Sequence, residues 1–428
     1  MDLKPIWVPL VHRLFPTPGP GRLASGLSLF LHADASKMVH VTRYADVQEV
    51  WQREEDFSVR TYGARMSETT GPFILGMTDS ARYLPEARVL AQVVRRDDAA
   101  LIQRIAIEET ERAFERIEGR GRIDVIQDVA DLVPIRLAMR YFGIQVADSE
   151  RLLRLFQKVS FYIFAFWFDP TMRDAAIAAG VELKYILGDL IKRRRQSGQL
   201  GDHDVLGRLL SLHEPFVDGD AGIARSIAGL CSGTLNAPIG LFSNAVDKLL
   251  GLERGQRRAL YELACSRAAT DPSGHTFEDY VREAERFGVF PGVLHRYAER
   301  STSIAAGTSR EKQIEQGTTV VVWPWLASLD SAPFEQPFAF RPGRPKSQYM
   351  AFGHSRHRCL GEHIGQTMVT EMARALFALP GLRRAPGKAG TIQSLPIEQA
   401  SFPRSFLLEF DPPVSASTPS TQGDRQSA

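Results

Sequence analysis

Residues Phe352 to Gly361 read Phe-Gly-His-Ser-Arg-His-Arg-Cys-Leu-Gly, and the chain passes directly from them into a helix-period stretch from Glu362 to Leu379. A cysteine just before a helix meets free backbone N–H groups and the positive end of the helix dipole. Both favour a thiolate and can hydrogen-bond its sulfur. Arg356, His357 and Arg358 add positive charge around Cys359, while Gly353 and Gly361 let the backbone lie close to a flat ligand. An iron-ligating thiolate needs such surroundings. The same stretch holds His354, His357, Cys359 and His363, residue types that also bind zinc, so a zinc site is an alternative reading.

The segment leading into this loop, Trp323 to Phe352, has no periodicity and is punctuated by Pro324, Pro333, Pro337, Pro342, Gly343 and Pro345. An irregular stretch of that length has a function or lies against something large. Elsewhere helical patterns dominate, at Leu101 to Ile117, Leu152 to Phe164, Ala175 to Arg195, Ile223 to Leu252 and Phe277 to Phe287. Strand-like alternation is confined to Met38 to Val41, Thr318 to Trp323 and Ser405 to Phe410. The expected class is mainly α with small β-sheets. Pro412 to Ala428, rich in Pro, Ser and Thr, reads as a disordered tail, which leaves a lead-in over 1–38 and one catalytic domain over 39–411.

The 428 residues are enough for two or three domains or for one large domain around a buried cofactor. A formal charge of +2 gives no footing for a nucleic-acid partner. The run Lys192 to Arg195 reads as a solvated helix C-terminus favoured by the dipole. Three cysteines build no disulfide framework and fit a reducing compartment, with Cys231 and Cys265 read as small core residues. Met1 to Gly21 lacks a signal-peptide core and a membrane span, so a cytoplasmic, unanchored protein is expected. The aromatic run Phe161 to Phe168 reads as core or as a pocket wall that suits an apolar, lipid-like ligand.

The cysteine loop resembles the haem loop of the cytochrome P-450 family, which runs Phe, two residues, Gly, one residue, His or Arg, one residue, Cys, one residue, Gly. Phe352, His357, Cys359 and Gly361 match, and Ser355 stands where the family usually has glycine. Glu283-Ala-Glu-Arg286 places a carboxylate and a guanidinium on one helix face and resembles the Glu-x-x-Arg helix that buttresses the haem-binding side. Arg296 stands where the family supplies an arginine to a haem propionate. Tyr44 to Trp51 with Phe57-Ser58 resembles the first helix after the N-terminal sheet. Asp79 to Arg88 resembles the propionate-contacting helix, with Arg82, Tyr83 and Arg88 as candidates. Phe142-Gly-Ile144 and Asp202 to Leu210 also fall where the family has similar motifs. The resemblance covers Val39 to Phe410. It implies a single large P-450-fold domain enclosing haem b, with Cys359 on the iron and Arg82, Arg88, Arg296, Phe352, His357 and Gly361 around the cofactor.

Reductive oxygen activation on such a centre needs two protons at the distal oxygen, and oxygen-splitting relatives carry an acid beside an alcohol on the long central helix. From Ala221 to Val246 this chain has no Asp or Glu, and the expected site reads Gly233-Thr-Leu-Asn-Ala-Pro-Ile-Gly240. Pro238 lacks an N–H and crowds the carbonyl of Thr234, so a bend is expected that turns Thr234 and Asn236 toward the iron. The plainer reading is that Asn236 packs in the core and Pro238 only kinks a helix. The Asn-Ala pair followed by glycine resembles the distal helix of plant allene oxide synthases and hydroperoxide lyases. Arg344-Pro-Lys-Ser-Gln-Tyr349 and Leu382-Arg-Arg-Ala-Pro-Gly387 resemble the C-terminal haem-thiolate domain of fungal linoleate diol synthases. These resemblances imply rearrangement of a fatty-acid hydroperoxide without external electrons, with Asn236 hydrogen-bonded to the departing oxygen and a dioxygenase supplying the hydroperoxide. The alternatives are a monooxygenase fed by NAD(P)H through a ferredoxin system, with Arg356 and Arg358 docking the acidic donor, and a non-catalytic haem sensor or carrier.

Overall fold

The helix-period runs form helices whose ends are set by local chemistry. The computed structural model describes residues 37–78, 80–164, 169–394 and 403–411. The lead-in through residue 36, Asp79, residues 165–168 of the aromatic run, residues 395–402 and the Ser/Thr/Pro tail lie outside the described residues. The helices are α1 (Tyr44–Gln52), α2 (Arg60–Glu68), α3 (Ser80–Val93), α4 (Ala99–Glu115), α5 (Leu132–Tyr141), α6 (Ser149–Phe164) and α7 (Pro170–Gln196). There follow α8 (Val205–Ser211), α9 (Gly219–Leu250), α10 (Arg254–Ser266), α11 (Phe277–Phe287), α12 (Pro324–Ala327) and α13 (Glu362–Phe377). The Asp169 carboxylate accepts from the N–H groups of Thr171 and Met172 and starts α7, with Pro170 in the first turn, where its missing N–H costs nothing. Asp204 starts α8 in the same way, and Thr276 with Asp279 forms a capping box on α11.

Four strands make the main sheet, in the order β1 (Met38–Val41), β7 (Thr319–Val322), β4 (Leu294–Ala298) and β2 (Phe57–Ser58). β1 runs parallel to β7, pairing Val39 with Val320, and the other neighbours are antiparallel. A three-stranded sheet joins β3 (Arg122–Asp124), β11 (Leu407–Glu409) and β8 (Arg383–Arg384). Two small pairs complete the strands, β5 (Thr302–Ile304) with β6 (Lys312–Ile314) and β9 (Gln393–Ser394) with β10 (Pro403–Ser405). The fold is predominantly helical, as expected from the sequence.

The helix α9 runs through the middle, packed against α5, α6, α7, α8, α11 and α13. It continues unbroken through Pro238, so the expected bend does not end the helix there. Packing on both sides offsets the loss of one backbone hydrogen bond. Two glycines on α9 are seats for aromatic rings. A Cβ on Gly229 would lie 2.3 Å from the Phe73 ring, and one on Gly240 would lie 2.2 Å from the Phe290 ring. Cys231 is buried as expected, but Cys265 is exposed. On α10 the buried face is carried by Leu260, Leu263 and Ala264, which turns Cys265 outward. The basic end of α7 is also more than a solvated terminus. Arg194 forms a two-pronged ion pair with Asp204 (3.0 and 3.1 Å), and Arg195 pairs with Asp220 at the start of α9.

The segment 323–352 is irregular apart from α12 and one 3₁₀ turn at Lys346–Gln348. Its backbone is tied to α11 by a single buried ion pair. Arg286 donates to both carboxylate oxygens of Glu283 (3.1 and 2.7 Å) and to the carbonyls of Ser328, Pro337 and Ala339 (2.8, 2.7 and 3.3 Å). Glu283 in turn accepts from the Arg341 N–H, Arg344 Nε and the Tyr349 hydroxyl (3.1, 3.3 and 3.1 Å). This leaves neither charge stranded.

Because a ring rather than a flexible side-chain tip fills the space over Gly240, Gly240→Ala is expected to displace Phe290 and cost about 1–3 kcal/mol. Chemical denaturation checks this, and an unchanged midpoint would show that the ring is free to move.

Candidate active site

Between α9 and the cysteine loop lies a cavity with about 1580 Å³ of atom-free space, its mouth included. One wall is the α9 stretch from Gly229 to Leu241, and the opposite wall runs from Ala351 through Cys359 to Met368. Phe73, Phe142, Phe164 and Phe290 close the sides, so the aromatic run ending α6 does contribute to the pocket through Phe164. None of the lining side chains is a carboxylate.

The loop that presents Cys359 is built by three backbone hydrogen bonds. The Cys359 N–H donates to the Phe352 carbonyl (2.9 Å), that of Arg358 to Ser355 (3.1 Å) and that of Gly353 to Met350 (3.0 Å). Gly353 (φ +74°) and Ser355 (φ +60°) are both left-handed. Ser355 therefore keeps the conformation that glycine would adopt freely, at a steric cost of about 1–2 kcal/mol.

The positive residues around Cys359 are not free to charge its sulfur. Arg356 and His357 share Glu54 (3.1 and 2.9 Å), and Arg358 grips both oxygens of Glu362 (2.8 and 2.9 Å). Burial consequently outweighs the Gly361 N–H and the Arg358 charge, and the Cys359 thiol is pushed up to about 11. The surroundings alone do not make the thiolate that the sequence suggests. A bound cation would supply the missing charge.

Of the other residues expected around a cofactor, Phe352, His357, Gly361 and Arg296 line the cavity with Cys359. Arg296 is buried, donates to the His295 carbonyl (2.9 Å) and pairs with no carboxylate among the described residues. Burial lowers its pKa. Arg82 and Arg88 are not brought to the cavity. Arg82 pairs with Glu86 and Asp218, and Arg88 is exposed. Tyr83 is the residue of that helix that reaches the loop, donating to the Arg356 carbonyl (2.6 Å) and packing edge-on against His357. One residue along a helix turns about 100°, and that offset separates Tyr83 from Arg82. Glu54 was not singled out by sequence, since a surface-type glutamate in a turn carries no motif.

Among the described residues no three His, Cys, Asp or Glu side chains converge as a metal group, so the four zinc-type residues of the loop do not gather. One sulfur on the wall of an apolar cavity would suit a thiolate ligand of haem iron. The unpaired guanidinium of Arg296 suits a propionate. The residues present fit haem.

The cytochrome P450 family model matches residues 281–376, the stretch holding Glu283, Arg286, Arg296 and Cys359. The chain has the cytochrome P-450 fold and resembles that family in sequence over this stretch. Its fold matches CalO2 with a TM-score of 0.77 at 19% identity, covering 96% of this chain and 97% of that one. CYP109B1 from Bacillus subtilis matches with a TM-score of 0.75 at 18% identity, covering 96% and 99%. In sequence the chain is similar to a bifunctional dioxygenase–epoxy alcohol synthase of Fusarium oxysporum, 22% identical over 77% of this chain and 28% of that protein. It is also similar to a linoleate diol synthase of Gaeumannomyces graminis, 39% identical over 22% of this chain and 8% of that protein. The chain thus spans about a quarter of the first relative's length.

On the distal wall, Asn236 and Thr234 both line the cavity. Asn236 is only 3% exposed. Its Nδ2 donates to Ser160 Oγ on α6 (2.9 Å) and to the Ser232 carbonyl one turn back (3.1 Å), while its Oδ1 has no partner. Asn236 is thus a buried amide with its nitrogen satisfied and its oxygen not.

Behind the cysteine helix, Glu285 on α11 is fully buried against Gln366 of α13 (3.4 Å), and one of its oxygens has no partner. Burial pushes it from its ordinary value of 4.5 up to about 8.

Two measurements follow from this site. Ser355→Gly is expected to be neutral or to stabilise by up to about 1 kcal/mol, and Ser355→Val to destabilise, because a β-branched side chain tolerates the left-handed region worst. Thermal unfolding of the two variants checks the order. For Glu285 the raised folded pKa means that the native state holds a proton the unfolded chain has lost between about pH 4.5 and 8. Stability from this group is present at the acid end of that window and lost toward its alkaline end. Glu285→Gln should flatten the fall in denaturation midpoint across the window, and an unchanged slope would assign the fall to other groups.

Proposed function

We propose that this chain is a P-450 that rearranges a lipid hydroperoxide without external electrons. The observation that carries the reading is a distal wall with no carboxylic acid, either on α9 from Ala221 to Val246 or among the cavity-lining side chains, and with the buried amide of Asn236 in its place. Reduction of dioxygen consumes protons at the distal oxygen, and a wall of this kind has no carboxyl to relay them. A hydroperoxide arrives with its oxygen already reduced and needs no such relay. The names of the fungal relatives, a dioxygenase–epoxy alcohol synthase and a linoleate diol synthase, support a fatty-acid hydroperoxide made by a dioxygenase.

Cys359 would hold the haem iron, Arg296 a propionate, and Phe352, His357 and Gly361 would pack on the proximal face, all within one catalytic unit over residues 39–411. A thiolate-ligated haem supplies cleavage of the O–O bond. The chain's own part is to hold the substrate. Phe73, Phe290, Leu241 and Phe164 give the apolar walls that suit an acyl chain. Asn236, Thr234, Ser160 and Ser232 give the polar patch that places the oxygen-bearing carbon. No described helix is long and apolar enough to cross a membrane.

The test mixes purified ferric protein with an unsaturated fatty-acid hydroperoxide and no reductant. Rearranged, oxygen-retaining products are expected, with the rate falling at least about tenfold in Asn236→Leu, the equivalent of one lost hydrogen bond. Absence of turnover, with substrate oxidation appearing only when NAD(P)H and a ferredoxin system are added, would establish a monooxygenase instead.

A further inference from the structure

The orientation of the Asn236 amide is decided by its neighbours. The Ser232 carbonyl can only accept, so the atom facing it at 3.1 Å must be the amide nitrogen. The second N–H of that nitrogen is taken by Ser160 Oγ at 2.9 Å. Both donors are then committed, and the oxygen is left buried without a partner. A ligand that hydrogen-bonds this amide must therefore bring a proton with it. The hydroxyls beside it supply the opposite polarity. Ser232 Oγ has no partner in this structure, and Ser160, which accepts from Asn236, keeps its own O–H. All three residues line the cavity.

We propose that Ser160 is a positioning residue that occupies the second Asn236 amide N–H and so leaves the oxygen as the amide's one free atom, and that this subsite selects an oxygen carrying its own proton, a hydroperoxide or an alcohol. A ketone or an ether accepts from the serines but leaves the Asn236 oxygen desolvated and unpaired. A site built around a substrate O–H rejects the analogue that lacks it for that reason. Loss of Ser160 frees one amide N–H, which can then donate to a ketone or ether oxygen, and so removes the discrimination. The choice of probe rests on the hydroperoxide reading above.

The experiment titrates the haem-loaded protein by calorimetry with hydroxy-octadecadienoic acid, its keto analogue and its O-methyl ether. None of the three carries a peroxide bond. The wild type is expected to bind the hydroxy acid about tenfold more tightly than either analogue, the worth of one hydrogen bond. In Ser160→Ala that ratio should fall to roughly threefold or less, and in Ser160→Thr, which keeps the hydroxyl, it should be retained. Because each ratio is taken within one protein, a partial loss of folded material does not change it. A wild-type ratio near unity, or a Ser160→Ala ratio equal to that of the wild type, overturns the proposal. Reductant-free hydroperoxide turnover is measured alongside. Its absence with the ratio intact removes the rearrangement reading and keeps the subsite, and turnover without the ratio does the reverse.

Discussion

The Glu283–Arg286 pair is the interaction on which the proximal half of the molecule depends. Two opposite charges with no solvent exposure pay heavily in desolvation, and their attraction alone does not repay it. Here the remaining donors and acceptors are filled by backbone from 328, 337, 339 and 341 and by the side chains of Arg344 and Tyr349. A segment without secondary structure is thereby given one conformation. Since that segment leads into the cysteine loop, the position of Cys359 follows from a salt bridge on a helix it does not belong to.

The two walls of the cavity treat charge in opposite ways. On the proximal wall Arg356 and His357 converge on Glu54, and Arg358 on Glu362, and desolvation pushes the Cys359 thiol up. The distal wall holds no carboxylate, only an amide and hydroxyls. Apolar rings seated on Gly229 and Gly240 narrow the space between. The chemistry such a site favours is that of a ligand that carries its own reactive oxygen, because the wall can orient an oxygen but has no carboxyl to relay protons to it.

Where local pattern governs, the sequence was readable. The helix Phe277–Phe287 and the strand Met38–Val41 stand at the expected ends, because capping residues and apolar periodicity are local properties. Arg296, His357 and Phe352 reach the cavity because their motifs place them on its walls. Arg82 and Arg88 do not, since a loose motif on a helix leaves the facing residue uncertain by one step, and Tyr83 takes the inward position. Cys265 lies outside for the same rotational reason.

By itself the sequence determined the helical class, the proximal cysteine loop with its Glu283–Arg286 support, and a central-helix stretch from Ala221 to Val246 without an acid, because each is written in contiguous or helically spaced residues. Only the tertiary structure decided that Glu54 meets His357, that Arg344 completes the buried pair, and that Ser160 accepts from Asn236. Arg344 and Glu283 lie 61 positions apart and Ser160 and Asn236 lie 76 apart, and Glu54 and His357 are farther apart still. Hydrogen-bond polarity at such contacts depends on which atoms the packing brings within about 3 Å, and no periodicity along the chain encodes that.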